Sequence, residues 1–223
     1  MSDIAGIRLI AAPRALLWAE LVAFFVLIPL AMAFVMPPQL MFAVLLPVTA
    51  LGMVLLHITD GFHWSELMRG WRRIDWRLVA GFSAVTAAIA AAVALLAVPE
   101  FALFLPREYP LLLLMILLGY PVLSALPQEI IFRPLFFRRY GRLIPGRNLA
   151  YGLNAGVFAL AHLMYWNWIV AALTFAGGLI FAWAYEARGS FALAVVLHSV
   201  AGGILFVSGA GVLFYSGMIE RPF

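Results

Sequence analysis

Apolar residues run along this chain in long blocks, each close to the roughly 20 residues that a helix needs to cross a bilayer. Short polar stretches rich in arginine separate them. Seven blocks can be drawn: Leu16–Met36, Gln39–His57, Leu78–Val98, Leu111–Phe137, Leu149–Tyr165, Trp168–Tyr185 and Phe191–Val207. A weaker eighth, Gly209–Met218, is too short to span at about 1.5 Å per residue and reads as a re-entrant or interfacial tail. The pattern predicts an all-α fold, a polytopic membrane helix bundle of about seven transmembrane helices with that short eighth segment. No internal repeat or low-complexity segment interrupts it.

The polar stretches alternate in charge. Arg8 and Arg14 precede the first block. Arg69, Arg72, Arg73 and Arg77 lie between the second and third, Arg138, Arg139, Arg142 and Arg147 between the fourth and fifth, and Arg188 between the sixth and seventh. If every block crosses, all four sites share one side, and the opposite loops hold only Arg107. Arginine excess marks the cytoplasmic side, so the N-terminus is expected there. The first block mimics a signal peptide, with Ala31-Met32-Ala33 as a cleavage site, but its apolar run continues past that point. It is read as an uncleaved first span. Three tryptophans, Trp64, Trp71 and Trp76, stand among the arginines of His63–Arg77, which suits a helix anchored at the headgroup level.

Composition agrees with the pattern. Of 223 residues, 66% are hydrophobic and 11% charged, and the mean hydropathy is +1.06. A soluble domain carries about a quarter charged residues. The chain is expected to be an integral membrane protein, with a bacterial cytoplasmic (inner) membrane as the expected location and the lipid bilayer as its first partner. Cysteine is absent, which excludes disulfides, thiol chemistry and Cys-ligated zinc. The net charge is +4 and every basic residue is arginine. With no basic block or RNA-reading motif, that surplus sets topology and implies no nucleic-acid partner.

A few polar residues inside the blocks carry the chemistry. Glu20 is near enough to the interface to read as structural. Glu129 lies about 13 Å inside the boundary marked by Arg138, close to mid-bilayer, where a charge must face the bundle interior and pair. Arg133, four residues on, shares its helix face. Pro127 and Pro134 loosen that helix. His162 and His198 lie on two further blocks, whereas His57 and His63 sit near the interface and read as solvated. Counting residues places His198 about 12 Å inside, level with Glu129, but His162 about 20 Å inside. A Glu–Arg pair that locks packing is one reading of these residues. Acid–base activation of a water by one Glu and two His is another, and a 2-His-1-carboxylate metal site of Glu129, His162 and His198 a third. Ala176-Gly177-Gly178 and Ala201-Gly202-Gly203 read as packing devices.

Glu129-Ile-Ile-Phe-Arg133, then Phe158 and His162, then His198 resemble the motifs of the CPBP family, the CAAX-protease and bacteriocin-processing (Abi) group of intramembrane proteases. The motifs are E-E-x-x-x-R, F-x-x-x-H and H-x-x-x-N on successive membrane helices. The resemblance covers about Leu111 to Val207. It divides the chain into N-terminal helices with their cytoplasmic loop (1–110), a CPBP-like core (111–208) and a tail (209–223). It implies an intramembrane endopeptidase acting on a membrane-associated peptide or protein. Glu129, His162, His198, Arg133 and Gln128 would form the site, with Glu129 activating water, His162 its acid–base partner, His198 polarising the carbonyl or steadying the oxyanion and Arg133 holding Glu129, and with either a divalent metal such as zinc or no cofactor. Two positions depart from the motifs: Gln128 replaces the first Glu, and Gly202 replaces the Asn. Gln cannot serve as a general base, although it can orient a water. The rival reading is a non-catalytic relative: a membrane binder, chaperone or immunity factor. A transporter with a proton relay is a third, against which the odd span number and missing repeat weigh. Substrate and oligomeric state stay open.

Overall fold

A computed structural model describes residues 13–68 and 70–223. They form an all-helical bundle. Six helices are long and apolar enough to cross a membrane: α1 (Arg14–Phe34), α2 (Pro38–His57), α3 (Trp76–Ala97), α4 (Pro110–Leu143), α6 (Trp168–Glu186) and α7 (Phe191–Ser208). The seventh predicted span is α5 (Arg147–Ala161), of 15 residues. It is shorter than the other six and leads through a 3₁₀ turn, Leu163–Tyr165, into α6. Residues 209–218, expected as a short non-spanning segment, form two 3₁₀ helices, Ala210–Phe214 and Ser216–Met218.

Loop contacts show which ends of the helices lie together. Arg138 pairs with Glu66, and Arg188 with Asp75 at 3.5 Å, so the loops after α2, α4 and α6 share one end. At the other end the Leu103 N–H donates to the Ser208 carbonyl at 3.0 Å, and the Trp166 indole donates to the Ala33 carbonyl at 3.3 Å. The alternation read from the arginines is thus realised in the packing. Arg221, in the tail at that far end, donates to the Met32 and Met36 carbonyls at the end of α1. The Trp-rich segment His63–Arg77 differs from the single interfacial helix expected. It forms two 3₁₀ helices, Trp64–Met68 and Trp71–Arg73. Gly70, at φ 92°, breaks the run, and Asp75 caps α3 by accepting from Leu78 N–H at 3.1 Å.

Prolines shape α4. Pro121 opens a π-widened turn, Pro121–Ala125, and Ile131–Tyr140, around Pro134, is π-helical. A proline inside a helix removes an N–H and clashes one turn back, and widened turns absorb that strain. The site described below lies along this irregular stretch.

The arginine-rich end of α4 is tied down by Glu20. Arg139 donates to both Glu20 oxygens, at 2.6 and 2.9 Å, and to Thr59 and the Leu55 carbonyl on the α2 side. The structural reading of Glu20 holds, and its partner is on α4. His57 and His63 are exposed, as expected. Phe25 of α1 meets Phe132, Phe136 and Tyr140 edge-on and is fully buried, so α1 packs directly on the site helix.

Helices α5 and α6 approach closely at Gly178, where a Cβ would stand 2.9 Å from the Ala155 Cα. At Gly81, by contrast, a Cβ would meet nothing within 4 Å. Alanine gains about 1 kcal/mol of helix propensity over glycine at either position. Gly81→Ala should therefore leave the thermal midpoint in detergent equal or higher. Gly178→Ala should lower it, since overpacking costs about 1–3 kcal/mol. Equal shifts of the same sign would contradict the close α5–α6 approach.

Candidate functional site

Glu129 and Arg133 are both fully buried on α4. Arg133 Nε donates to Glu129 Oε2 at 2.8 Å, and a second guanidinium nitrogen lies 3.4 Å from Oε1. The i,i+4 spacing makes this pair inevitable once both side chains point inward. The remaining side of the guanidinium is met by Asn154 of α5, also fully buried, whose Oδ1 accepts from Arg133. Asn154 in turn donates through Nδ2 to the Phe132 carbonyl at 2.6 Å. The rings of Phe158 and Phe181 lie 5.2 and 5.8 Å from the guanidinium carbon, a cation–π setting that helps hold a desolvated charge.

His198 of α7 completes the cluster. Its Nδ1 lies 2.9 Å from Glu129 Oε1. A carboxylate paired with a guanidinium only accepts, so Nδ1 carries the proton. If His198 is neutral, its Nε2 holds a lone pair. Stacking on Phe181 (5.0 Å, 12°) and edge contacts with Phe158 and Tyr120 fix the ring plane.

His162 caps the end of α5. Its Nδ1 lies 2.8 Å from the Phe158 carbonyl, again an acceptor only, so Nδ1 is the protonated nitrogen. Its ring centroid is 4.7 Å from that of Phe158, and the His198 centroid is 5.6 Å from the same ring. Residue counting set His162 deeper than His198. In the structure both imidazoles flank the Phe158 ring, His162 from one turn further along α5 and His198 from α7.

Gln128 donates to Ser124 Oγ at 2.9 Å, and its buried Oε1 has no hydrogen-bond partner among the described residues. Gly202 packs closely, as expected of a small residue. It admits a side chain rather than a backbone: a Cβ there would overlap the Tyr120 ring. Asn154 went unnoticed in the sequence, although Asn154, Phe158 and His162 follow at intervals of four and so share a face of α5.

The three residues considered as metal ligands do not fit a resident divalent ion. Among the described residues no group of three or more His, Cys, Asp or Glu has the arrangement to hold one. Glu129 faces a guanidinium instead, and both Nδ1 atoms are engaged.

Fold and site together define an integral membrane protein of the helix-bundle kind, with a polar centre shared by three helices in its apolar interior. A family model described as type II CAAX prenyl endopeptidase Rce1-like matches residues 110–204, which bears out the resemblance to the CPBP family over that segment. Helices α1 to α3 lie outside the match. No curated protein and no solved structure matches the chain.

Removing one partner from a buried ion pair strands the other and costs about 3–5 kcal/mol. Arg133→Met should therefore lower unfolding stability in detergent by about that much, and adding Glu129→Gln should restore part of the loss. Strictly additive effects would contradict the coupling.

Proposed function

We propose that this protein is an intramembrane endopeptidase that cleaves a membrane-associated peptide or protein, with a carboxylate-oriented histidine as its base. The family match over residues 110–204 supports peptidase chemistry at the level of the family. The observation that carries the assignment of roles is the 2.9 Å contact of His198 Nδ1 with Glu129 Oε1.

The resemblance implies that Glu129 activates water directly. Its oxygens are occupied by Arg133 and His198, and Gln128 does not titrate. The base is therefore His198. To act as base the imidazole must be neutral, with the Nε2 lone pair available. Its Nε2 takes a proton from water as the water oxygen attacks the scissile carbonyl carbon. The carboxylate then stabilises the transient imidazolium, as in a carboxylate–histidine pair of a hydrolase. As the C–N bond breaks, the same nitrogen returns the proton to the leaving amine. His162, with its Nε2 also free of the Nδ1 contact, accepts the second hydrogen of the attacking water and orients it. Arg133 and Asn154 position Glu129 and do not touch substrate. Orientation follows the arginine rule, with the N-terminus and the arginine-rich loops on the cytoplasmic side of a bacterial inner membrane.

A second reading, a binder of membrane peptides without chemistry, is favoured by one observation. Neither the amide of Gln128 nor the saturated carboxylate of Glu129 offers a free acid or base. Both readings place a peptide at the same centre and differ only in whether His198 acts.

Co-expression with membrane peptides, followed by mass spectrometry of the fragments, separates them. The peptidase reading predicts that wild type cuts and that His198→Ala and Glu129→Gln lose about 10²–10⁴-fold in rate, the usual worth of a positioned base. Peptide retained intact by wild type would establish the binder instead.

A further inference from the structure

Tyr120 belongs to neither the Glu129–Arg133–Asn154 network nor the two histidines. It closes the regular N-terminal part of α4, Pro110–Tyr120, just before the widened turn at Pro121. Its ring meets His198 at 5.9 Å and Phe206 at 5.8 Å, both nearly edge-on. Gly202 lies one helical turn beyond His198 on α7, and a Cβ there would stand 2.7 Å from the Tyr120 hydroxyl oxygen while overlapping its ring. The phenol thus reaches the backbone of α7 beside the proposed base, through space that only glycine leaves.

Tyr140 donates to Glu20 and Tyr165 to the Met41 sulfur, whereas Tyr120 is half-buried and makes neither kind of bond. A half-buried phenol not committed to another side chain keeps its O–H available to an acceptor that arrives from outside. A neutral imidazole nitrogen and an unused phenol side by side are the two groups that a peptide carbonyl needs: one for the water, one for its oxygen. An asparagine at position 202, which the family motif would place there, would require this ring to move.

We propose that the Tyr120 hydroxyl donates the hydrogen bond that binds the carbonyl oxygen of a peptide held against His198, and that Gly202 exists to admit it. The proposal rests on the peptide-binding site common to both readings above. During hydrolysis the carbonyl π pair moves to oxygen as water adds to carbon. Tyr120 keeps its proton and shares it with that oxygen, and the pair returns when the C–N bond breaks. Tyr120 and Gly202 together then do what a single amide side chain would do.

The test uses the full chain in lipid nanodiscs and acetyl-Leu-Leu-leucinal, a hydrophobic peptide aldehyde, carrying ¹³C at the aldehyde carbon. Wild type should bind it saturably and lower the labelled carbonyl stretch relative to the aldehyde in empty nanodiscs. Tyr120→Phe should bind about tenfold more weakly, the worth of one good hydrogen bond, and return the stretch to its free value. Gly202→Ala, whose Cβ displaces the ring, should do the same, with unchanged thermal midpoints certifying the fold of Tyr120→Phe. Equal affinity and equal stretch in wild type and Tyr120→Phe would overturn the proposal, as would absence of saturable binding to wild type. Tyr120-dependent binding without cleavage of any membrane peptide would support the donor and sink the peptidase reading. Cleavage at equal rates by wild type and Tyr120→Phe would retain the peptidase and overturn the donor.

Discussion

A carboxylate and a guanidinium buried together in apolar surroundings constrain everything near them. Each unfilled hydrogen-bonding position on either group costs free energy that lipid and apolar side chains cannot return. The Glu129–Arg133 pair meets this constraint by drawing in other helices. Asn154 of α5 accepts from the guanidinium, and His198 of α7 donates to the carboxylate. Three helices are thereby fixed in rotation about one pair. The two imidazoles, the Phe158 ring between them and the Tyr120 phenol all take their positions relative to it.

The same pair sets the chemistry available. A free glutamate at mid-bilayer would be protonated or would seek a cation. Here its oxygens are taken by Arg133 and His198, and in the proposed peptidase it acts on that neighbour rather than on water. That neighbour, His198, gains a fixed tautomer and a partner for its transient charge. Gln128 is consistent with this division of labour. A second carboxylate beside Glu129 would add a charge with no guanidinium of its own to balance it, whereas an amide adds none. The two departures from the family motifs thus fall at positions where this structure holds neutral groups: an amide at 128, and a phenol in the space that Gly202 opens.

Much of this was legible in the sequence because it follows from local spacing. The apolar blocks gave the spans, the arginine alternation gave the shared end of three loops, and four-residue spacing gave the Glu129–Arg133 pair. What was not legible depends on contacts between helices. Asn154 carried a signal, its register with Phe158 and His162, but nothing local marked Arg133 as its partner. Counting offset His162 from His198 along their helices, but it could not show that the Phe158 ring stands between them. Tyr120 gave no signal at all. Its place is set by a missing side chain on another helix 82 positions away, visible only when α4 and α7 are packed. The interfacial loop was read as one helix because its tryptophans and arginines suit one, while the left-handed turn at Gly70 divides it.

In the proposed peptidase, Glu129 holds the proton of a His198 base on Nδ1 and leaves Nε2 open. Solid-state ¹⁵N NMR of histidine-labelled protein in bilayers reads this directly, with His198 assigned by comparison with His198→Gln. An unprotonated Nε2 and a protonated Nδ1 are expected at neutral pH, with a shift of the Nδ1 resonance when Glu129 is replaced by Gln. A protonated Nε2, or a His198 spectrum indifferent to Glu129→Gln, would contradict it.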